Sequence, residues 1–427
     1  MLPTRTYPES RPEFGHLTQR LREFLQREPG VPPGSPEHIV LLGHQLLLDA
    51  VRERATDIHL QPESNGLRVR LRIDGSLHDA ILLSPEQGER LIRRFKALAE
   101  IDPVPLRRPV DSRAVYELEG RTLHLRIAGA PAVCGEALAV RILDASLPQR
   151  GLADLGLSSA DRDIINNWLA DVSGALLVVG PTGSGKTTTL YALLEHLRLR
   201  SRNVVTLEDP VEYQIDGITQ VQLDKCHGLD FAESLKMLLR LDPDYILLGE
   251  IRDAASAETA VRAAASGRVL MSTLHSRDAV GAITSLRNYG VADHEIVAAL
   301  ELIVAQRLVR KLCPDCRRNE APTDAEKTWL LRLGQPPPET TWHASGCDKC
   351  QYTGYHGRIG VFEIWRLDAT TDQWIRSHLD EHALRHHRWQ QGMPSLLDDA
   401  LDKAAQGLTT LEEVQTLGGQ SRIRCSR

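Results

Sequence analysis

One eight-residue stretch constrains the fold of this chain more than any other part of it. Residues 180–187 read Gly-Pro-Thr-Gly-Ser-Gly-Lys-Thr and satisfy the pattern G-x-x-x-x-G-K-[ST] without a mismatch. The apolar residues 175–180 are typical of a buried parallel strand, and leucines recur behind the loop at helical spacing. A glycine-rich loop between a strand and a helix predicts an α/β domain that binds the phosphates of a nucleotide.

The residue types of this loop each match a task. Glycines let backbone N–H groups close on a phosphate, and the N-terminus of the following helix adds partial positive charge. Lys186 is expected to reach the terminal phosphates, and the Thr187 hydroxyl to hold Mg²⁺. The alternative is a chance turn, which leaves the flanking strand and helix unexplained. The candidate nucleotide-binding residues are Gly180, Pro181, Thr182, Gly183, Ser184, Gly185, Lys186, Thr187 and Thr188.

Length and composition bound the class of protein. A chain of 427 residues exceeds one ordinary core, so two or three domains are expected. No apolar run approaches the ~20 residues of a membrane span, and the start lacks the apolar segment of a signal peptide, which predicts a cytoplasmic protein. A formal net charge of −6 argues against a surface that coats duplex nucleic acid.

Two pairs of cysteines share one spacing, Cys313-x-x-Cys316 and Cys347-x-x-Cys350. A cytoplasm keeps thiols reduced, and four thiolates in C-x₂-C pairs suit tetrahedral Zn²⁺ better than disulfides. Four thiolate ligands leave the metal no open position, so the predicted zinc site is structural. The alternative is a metal-free pair of turns.

The first third of the chain is predicted to hold an arm and a small domain. Residues 1–37 are rich in proline and read as a mobile arm, residues 38–144 as a small α+β domain, and residues 145–156 as a linker. Within the domain, the alternation over residues 67–73 predicts a strand with an apolar face and a face formed by Arg68, Arg70 and Arg72. Asp74-Gly75 then predicts a hairpin turn.

A second predicted hairpin spans Arg113 to Ile127 and turns at Glu119-Gly120. Its apolar residues alternate with Arg113 and Arg126, so both arginines are expected to point away from the core. A solvated basic face is the alternative to a functional role for them.

After residue 157, helical and strand patterns alternate as far as residue 274. This alternation predicts a mostly parallel sheet covered on both faces. Helices are then expected to dominate, with residues 293–312 the clearest, and the cysteine module at 313–350 interrupts them. The predicted alternating elements are helix 159–170, strand 175–180, helix 186–199, strand 203–208, helix 230–241, strand 245–249, helix 256–266 and strand 268–274.

Three of these strands end in polar residues, at the sheet edge where ligands of such folds collect. The first is followed by Glu208, Asp209 and Glu212, which are candidates to hold Mg²⁺ and a water, or else form a solvated acidic turn. The second ends at Glu250, a candidate to order the attacking water or Mg²⁺, or else a buried structural acid. The third ends at His275, a candidate functional side chain. Taken by itself, a histidine at this position is equally consistent with a capping or core role.

These segments together resemble the secretion ATPases of type II secretion and type IV pilus assembly. The resemblance covers about residues 38 to 420. It rests on Ala55-x-Asp-Ile-His59, Arg70-x-Arg-Ile-Asp-Gly75, Leu207-Glu-Asp-Pro-Val-Glu-Tyr213, Leu241-Asp-Pro-Asp-Tyr-Ile-Leu-Leu-Gly-Glu-Ile-Arg-Asp253, Ser272-Thr-Leu-His275, Gln306-Arg-Leu-Val-Arg-Lys-Leu-Cys-Pro-x-Cys316 and Gly354-Tyr-x-Gly-Arg358.

The resemblance implies a RecA-like P-loop ATPase domain over residues 157–427, a PAS-like domain before it, and a homohexameric ring. It implies ATP, Mg²⁺ and Zn²⁺ as ligands and makes Glu250, Glu208 and His275 catalytic candidates, with His275 sensing the terminal phosphate. It also places Arg113 and Arg126 near the phosphates, in their own subunit or a neighbour's. The zinc module favours the extension and secretion branch of the family.

The leading hypothesis is therefore a cytoplasmic ATPase motor, peripheral at the inner membrane, that works with the membrane platform of a secretion or pilus-assembly machine. Members of the family often carry a further amino-terminal docking domain, which the proline-rich residues 1–37 are expected to be too short to form. One alternative is a DNA-translocating motor, suggested by Arg68, Arg70 and Arg72. The other is a scaffold that binds nucleotide without turning it over.

Overall fold

The structure, a computed structural model, describes residues 20–21, 23–25, 35–144, 151–170, 173–198, 202–223 and 231–418. The chain divides into two compact units. The first comprises Met1–Pro148 with Gly346–Gly354, and the second comprises Gln149–Ser345 with Tyr355–Arg427. Most of the predicted arm and residues 145–150 of the predicted linker lie outside the described residues.

The first unit is an antiparallel sheet with two helices. Strands lie in the order β3-β2-β1-β6-β5-β4, and both predicted hairpins are confirmed as β2–β3 and β4–β5. Helix α1 packs on α2, and α2 packs on β2. The elements are α1 (Pro36–Arg52), β1 (Ala55–Glu63), β2 (Gly66–Ile73), β3 (Ser76–Leu83), α2 (Pro85–Leu98), β4 (Val110–Leu118), β5 (Arg121–Ala132) and β6 (Gly135–Asp144).

Local sequence explains why these helices begin where they do. Ser84 caps α2 by accepting from the Gln87 N–H, the Gln87 side chain returns to the Ser84 N–H, and a proline occupies the first turn. Ser35 caps α1 in a similar way, accepting from the His38 N–H. Leu21, within the segment expected to be mobile, is fully buried in the core of this unit.

The second unit contains a seven-stranded sheet in the order β15-β12-β7-β11-β10-β8-β9. Neighbouring strands are parallel except for β15, which pairs antiparallel with β12. This confirms an α/β fold with a mostly parallel sheet. After a 3₁₀ turn at Leu152–Leu155, the elements up to β11 are α3 (Ser159–Ala170), β7 (Gly174–Val179), α4 (Lys186–Arg198), β8 (Val204–Glu208), β9 (Thr219–Gln222), α5 (Phe231–Leu238), β10 (Tyr245–Leu248), α6 (Ala254–Ala265) and β11 (Val269–Leu274).

The remaining elements complete the sheet and add a helical end. They are α7 (Ala279–Asn288), α8 (Asp293–Ala299), β12 (Leu300–Leu312), β13 (Arg318–Glu320), α9 (Asp324–Arg332), β14 (Thr341–His343), β15 (Tyr355–Arg366), α10 (Ala369–Arg376), α11 (Glu381–Gln390), α12 (Leu396–Ala405) and α13 (Leu411–Gly418). Among the described residues, no helix is long and apolar enough to cross a membrane.

The prediction of one helix over residues 293–312 is wrong. The helix ends at Ala299, and residues 300–312 form β12, which lies between β7 and β15. Leu302, Ile303 and Val304 are all buried, because both faces of a central strand are covered. The short apolar run at residues 302–305 fits helix and buried strand equally well, so pairing with β7 and β15 decides the structure.

Candidate functional site

The residues predicted to bind phosphate form the turn between β7 and α4. Gly183 and Gly185 have φ values of +78° and +87°, a region that disfavours side chains. A Cβ on Gly185 would also lie 2.8 Å from Nε2 of Gln306. The Lys186 ammonium lies over the loop and donates to the carbonyls of Gly180 at 2.9 Å and Pro181 at 3.2 Å. The predicted strand–loop–helix arrangement is confirmed.

Features of this loop fit a bound nucleotide. The Ser184 hydroxyl is buried and, within the described part of the chain, has no hydrogen-bond partner. Thr187 and Thr188, at the start of α4, are exposed. A hydroxyl without a partner beside a glycine cradle and a lysine is suited to phosphate oxygens, and the exposed Thr187 hydroxyl is suited to Mg²⁺.

Gln306 on β12 contacts the phosphate-binding loop and the helix that follows it. The sequence did not predict this contact. It is 2% exposed, and its amide oxygen accepts from the Thr189 hydroxyl at 2.6 Å. Its side-chain amide nitrogen lies near Gly185, while its backbone carbonyl oxygen lies near Gly180. Gln306 therefore contacts the loop helix through its side chain and lies against the loop glycines through both side chain and backbone.

Glu250 and His275, which follow neighbouring strands β10 and β11, contact each other. His275 Nε2 lies 2.6 Å from Glu250 Oε1, and Arg252 Nε lies 2.7 Å from the other oxygen, Oε2. Arg252 also reaches Asp209 at 3.3 Å, which follows β8. Three strand ends thus bring their polar residues together, as the parallel sheet predicts. Arg252 belongs to the motif at residues 241–253, but the motif alone does not predict its contact with Glu250.

Electrostatics connect this cluster with the phosphate-binding loop. Burial lowers the pKa of Lys186, the Glu250 carboxylate opposes that shift, and Arg307 on β12 adds to it. The negative charge of Glu250 therefore favours the charged form of Lys186. A carboxylate that interacts in this way with the lysine expected to hold terminal phosphates is a candidate to orient a water.

Glu208, at the end of β8, lies in a different environment. It is 4% exposed, and its carboxylate accepts from the hydroxyls of Tyr191 and Thr206 and from the Gln220 amide at 3.3 Å. The Tyr191 hydroxyl in turn accepts from the Glu212 N–H at 3.0 Å. These bonds occupy both carboxylate oxygens inside the protein, and a role in ordering metal or water stays a prediction.

The two candidate arginines are direct cross-strand neighbours in the first unit. Arg113 on β4 pairs with Arg126 on β5, and Arg126 pairs in turn with Arg141 on β6. All three are exposed. Arg126 forms an ion pair with Asp111, which lowers the pKa of that carboxyl group. The predicted outward direction is confirmed, while contact with nucleotide stays a prediction.

The four predicted metal ligands lie together. The Sγ atoms of Cys313, Cys316, Cys347 and Cys350 are all within 4.8 Å of one another. Cys347 and Cys350 have their sulfurs 3.8 Å apart, the separation of about 3.8 Å that two ligands of a tetrahedral zinc with 2.3 Å bonds require. Cys350 Sγ also accepts N–H bonds from Cys347 at 3.2 Å and Gly354 at 3.3 Å. The residues fit a structural zinc.

A mostly parallel sheet with a phosphate-binding loop and acids at the neighbouring strand ends defines an α/β protein of the P-loop nucleotide-binding class. Within this class, the family described as Type II/IV secretion system protein matches residues 35–416. The chain belongs to that family, which confirms the resemblance read from the sequence.

Similar proteins include named secretion ATPases. The chain is 39% identical over 412 residues to the type II secretion system ATPase E of Vibrio cholerae, spanning 96% of this chain and 80% of that protein. It is 39% identical over 392 residues to the type II secretion system protein E of Pseudomonas aeruginosa, spanning 92% of this chain and 76% of that protein. The prediction of an ATPase of this family is confirmed at that level.

Solved structures confirm the fold. The ATPase DotB of Legionella pneumophila aligns with a TM-score of 0.66 at 20% identity, over 89% of this chain and 96% of that chain. The pilus retraction motor PilT with bound ADP aligns with a TM-score of 0.59 at 23% identity, over 89% of this chain and 97% of that chain. At sequence identities this low, the two alignments support a shared fold and nothing further.

Proposed function

We propose that the chain hydrolyses Mg·ATP and that a hexameric ring of it powers type II protein secretion or the assembly of a pilus or pseudopilus. The observation that carries this proposal is the contact of Glu250, just after β10, with His275, supported by the electrostatic interaction of Glu250 with Lys186. Hydrolysis needs an acid that orients water at the terminal phosphate, and Glu250 would be that acid.

Each side chain of the site then has a task. Lys186 and the backbone N–H groups of the loop bind the β- and γ-phosphates, and Thr187 holds Mg²⁺, which neutralises charge that develops on the phosphates. Glu250 orients the attacking water. Its two oxygens are fixed by His275 and Arg252 and keep lone pairs for that water. His275 contacts Glu250, so it would sense the terminal phosphate and couple its presence to the position of the Glu250 carboxylate.

The proposed partners follow from the family and from the relatives' names. A type II secretion ATPase works with an inner-membrane platform, so we place this chain in the cytoplasm, peripheral at that membrane. The cysteine cluster would hold one zinc and stabilise its module. The zinc module would place the chain in the extension and secretion branch of the family.

The DNA-translocating alternative has little support. Arg68 forms ion pairs with Glu63 and Asp79, and Arg70 also contacts Asp79, at 2.7 Å. Arginines that are already paired with neighbouring acids neutralise few DNA phosphates. Their binding would therefore release few of the counterions condensed on DNA. A filter-binding assay across salt concentrations should therefore show weak DNA binding with a shallow salt slope. A steep slope would favour this alternative.

Steady release of phosphate from ATP tests the proposal. We expect Glu250→Gln to bind ATP nearly normally and to turn over roughly 10²-fold more slowly, because the acid matters mainly as the barrier is crossed. Lys186→Ala should lose binding itself. Glu258→Gln, which alters an exposed carboxylate paired with Arg262 on α6, is the matched control. A wild-type chain that binds ATP without turnover would make the protein a scaffold.

A further inference from the structure

The loop between β11 and α7 is anchored at successive positions after His275. Arg307 on β12 donates to the carbonyl of Arg277 at 2.7 Å. Asp278 is held by Arg385 on α11, and the Ala279 N–H donates to Glu363 on β15 at 3.3 Å. Contacts from three separate elements thus hold three of the four residues that follow His275, namely Arg277, Asp278 and Ala279.

The contact between Asp278 and Arg385 joins two distant parts of the second unit. Arg385 donates to Asp278 Oδ2 from NH2 at 2.7 Å and from Nε at 3.1 Å. The other oxygen, Oδ1, caps α7 by accepting from the Gly281 N–H at 2.8 Å. The two side chains are only 26% and 24% exposed, so solvent screens this pair less than an open surface pair.

We infer that Arg385 is a positioning residue for the reaction, acting through Asp278 on the loop that carries His275. Asp278 lies three positions after His275, a span of at most about 11 Å, so displacement of one is expected to move the other. His275 in turn contacts the carboxylate of Glu250. The helices after β15 would therefore set the geometry of the site without contacting nucleotide.

This inference rests on the proposed function and predicts a specific kinetic pattern. Lys186 and the phosphate-binding loop are untouched by the change Arg385→Gln, so ATP affinity and KM should remain within about twofold of wild type. The turnover number should fall by roughly 10- to 100-fold, the scale expected when a catalytic group is misplaced by a fraction of an ångström to an ångström. Arg385→Lys, which restores one charged donor, should recover most of the turnover.

Two further variants isolate the pair. Asp278→Asn keeps a good helix cap but removes the charge that Arg385 contacts, so it should reproduce the Arg385→Gln pattern. Glu381→Gln removes the other acid paired with Arg385, one turn away on α11, and should leave turnover unchanged. Equal turnover in Arg385→Gln and Glu381→Gln would overturn the inference. A parallel loss of ATP affinity would do the same, since it would indicate general loss of structure.

A measurement without turnover separates this inference from the proposed function. In full-length chain with ¹⁵N-labelled histidine, the imidazole signals of His275, assigned with His275→Gln, should shift in Arg385→Gln and stay fixed in Glu381→Gln. An unshifted His275 signal refutes the positioning role even if the wild-type chain proves inactive. If the His275 signal shifts in Arg385→Gln but the wild-type chain releases no phosphate, the proposed function is refuted. The link between Arg385 and His275 is then retained.

Discussion

Two acids at neighbouring strand ends have different surroundings. Glu250 meets a histidine and an arginine that are both about half exposed, whereas Glu208 is enclosed by hydrogen-bond donors. Burial, followed by the nearby Glu208 charge, raises the pKa of Tyr191 well above its usual range. Its hydroxyl therefore stays protonated at neutral pH and continues to donate to Glu208. The enclosed acid is suited to holding β8 and α4 together.

Removal of the Tyr191 hydroxyl should reveal that structural contribution. Tyr191→Phe leaves one Glu208 oxygen and the Glu212 N–H without this partner, so we expect a loss of about 1–3 kcal/mol in unfolding free energy. Chemical denaturation measures it. The matched control is Tyr213→Phe, whose ring packs 4.5 Å from that of Tyr191 and should cost less. Equal stability of Tyr191→Phe and wild type would contradict the structural role.

At the scale of the element, β12 serves both the nucleotide site and the cysteine module. Its middle places Gln306 under the phosphate-binding loop, and its end leads into Cys313. Arg310 near that end pairs with Glu413 on α13 and lies 3.9 Å over the ring of Tyr355. The strand is thus held in its middle and near its C-terminal end by side chains from other elements.

The cysteine module should contain one tightly bound zinc per chain. We expect Cys347→Ser to lose the metal and the folded structure of the module, because three thiolates hold zinc less well and the binding free energy of a structural zinc contributes directly to folding. Elemental analysis of native protein and protease sensitivity within residues 313–354 are the measurements. Cys134→Ser, at an exposed isolated cysteine, is the control. Native protein with far less than one zinc would refute the assignment.

At the scale of the whole molecule, we predict that the active site is completed between subunits by Arg113 and Arg126. An arginine supplied in trans can raise turnover by ~10³-fold or more and would make hydrolysis depend on assembly. Mixing inactive Lys186→Ala and Arg126→Ala proteins, under conditions that allow mixed rings, should restore part of the ATPase activity, because some interfaces then contain both native residues.

The ion pair of Arg126 with Asp111 supplies the control for this experiment. Asp111→Asn removes the pair while it leaves both arginines in place, so it should not abolish turnover. If the mixture remains inactive although subunit exchange is demonstrated, the role in trans fails. Arg126 would then act within its own subunit or contribute only to the sheet.

Local patterns in the sequence determined much of this protein. The loop at 180–187, the alternation of helix and strand as far as residue 274 and the C-x₂-C pairs each use information carried within a few residues, namely side-chain period, glycine placement and ligand spacing. The meeting of Glu250 with His275 could also be predicted, because parallel strands end at one edge of a sheet.

The tertiary structure alone decided the remainder. Residues 300–312 are a strand because β7 and β15 provide hydrogen-bond partners on both sides, whereas the apolar run within them, residues 302–305, fits a helix equally well. The contacts of Gln306 with Thr189 and of Arg385 with Asp278 join residues 117 and 107 positions apart. No local pattern encodes such pairings, because they arise only when separate elements pack against one another.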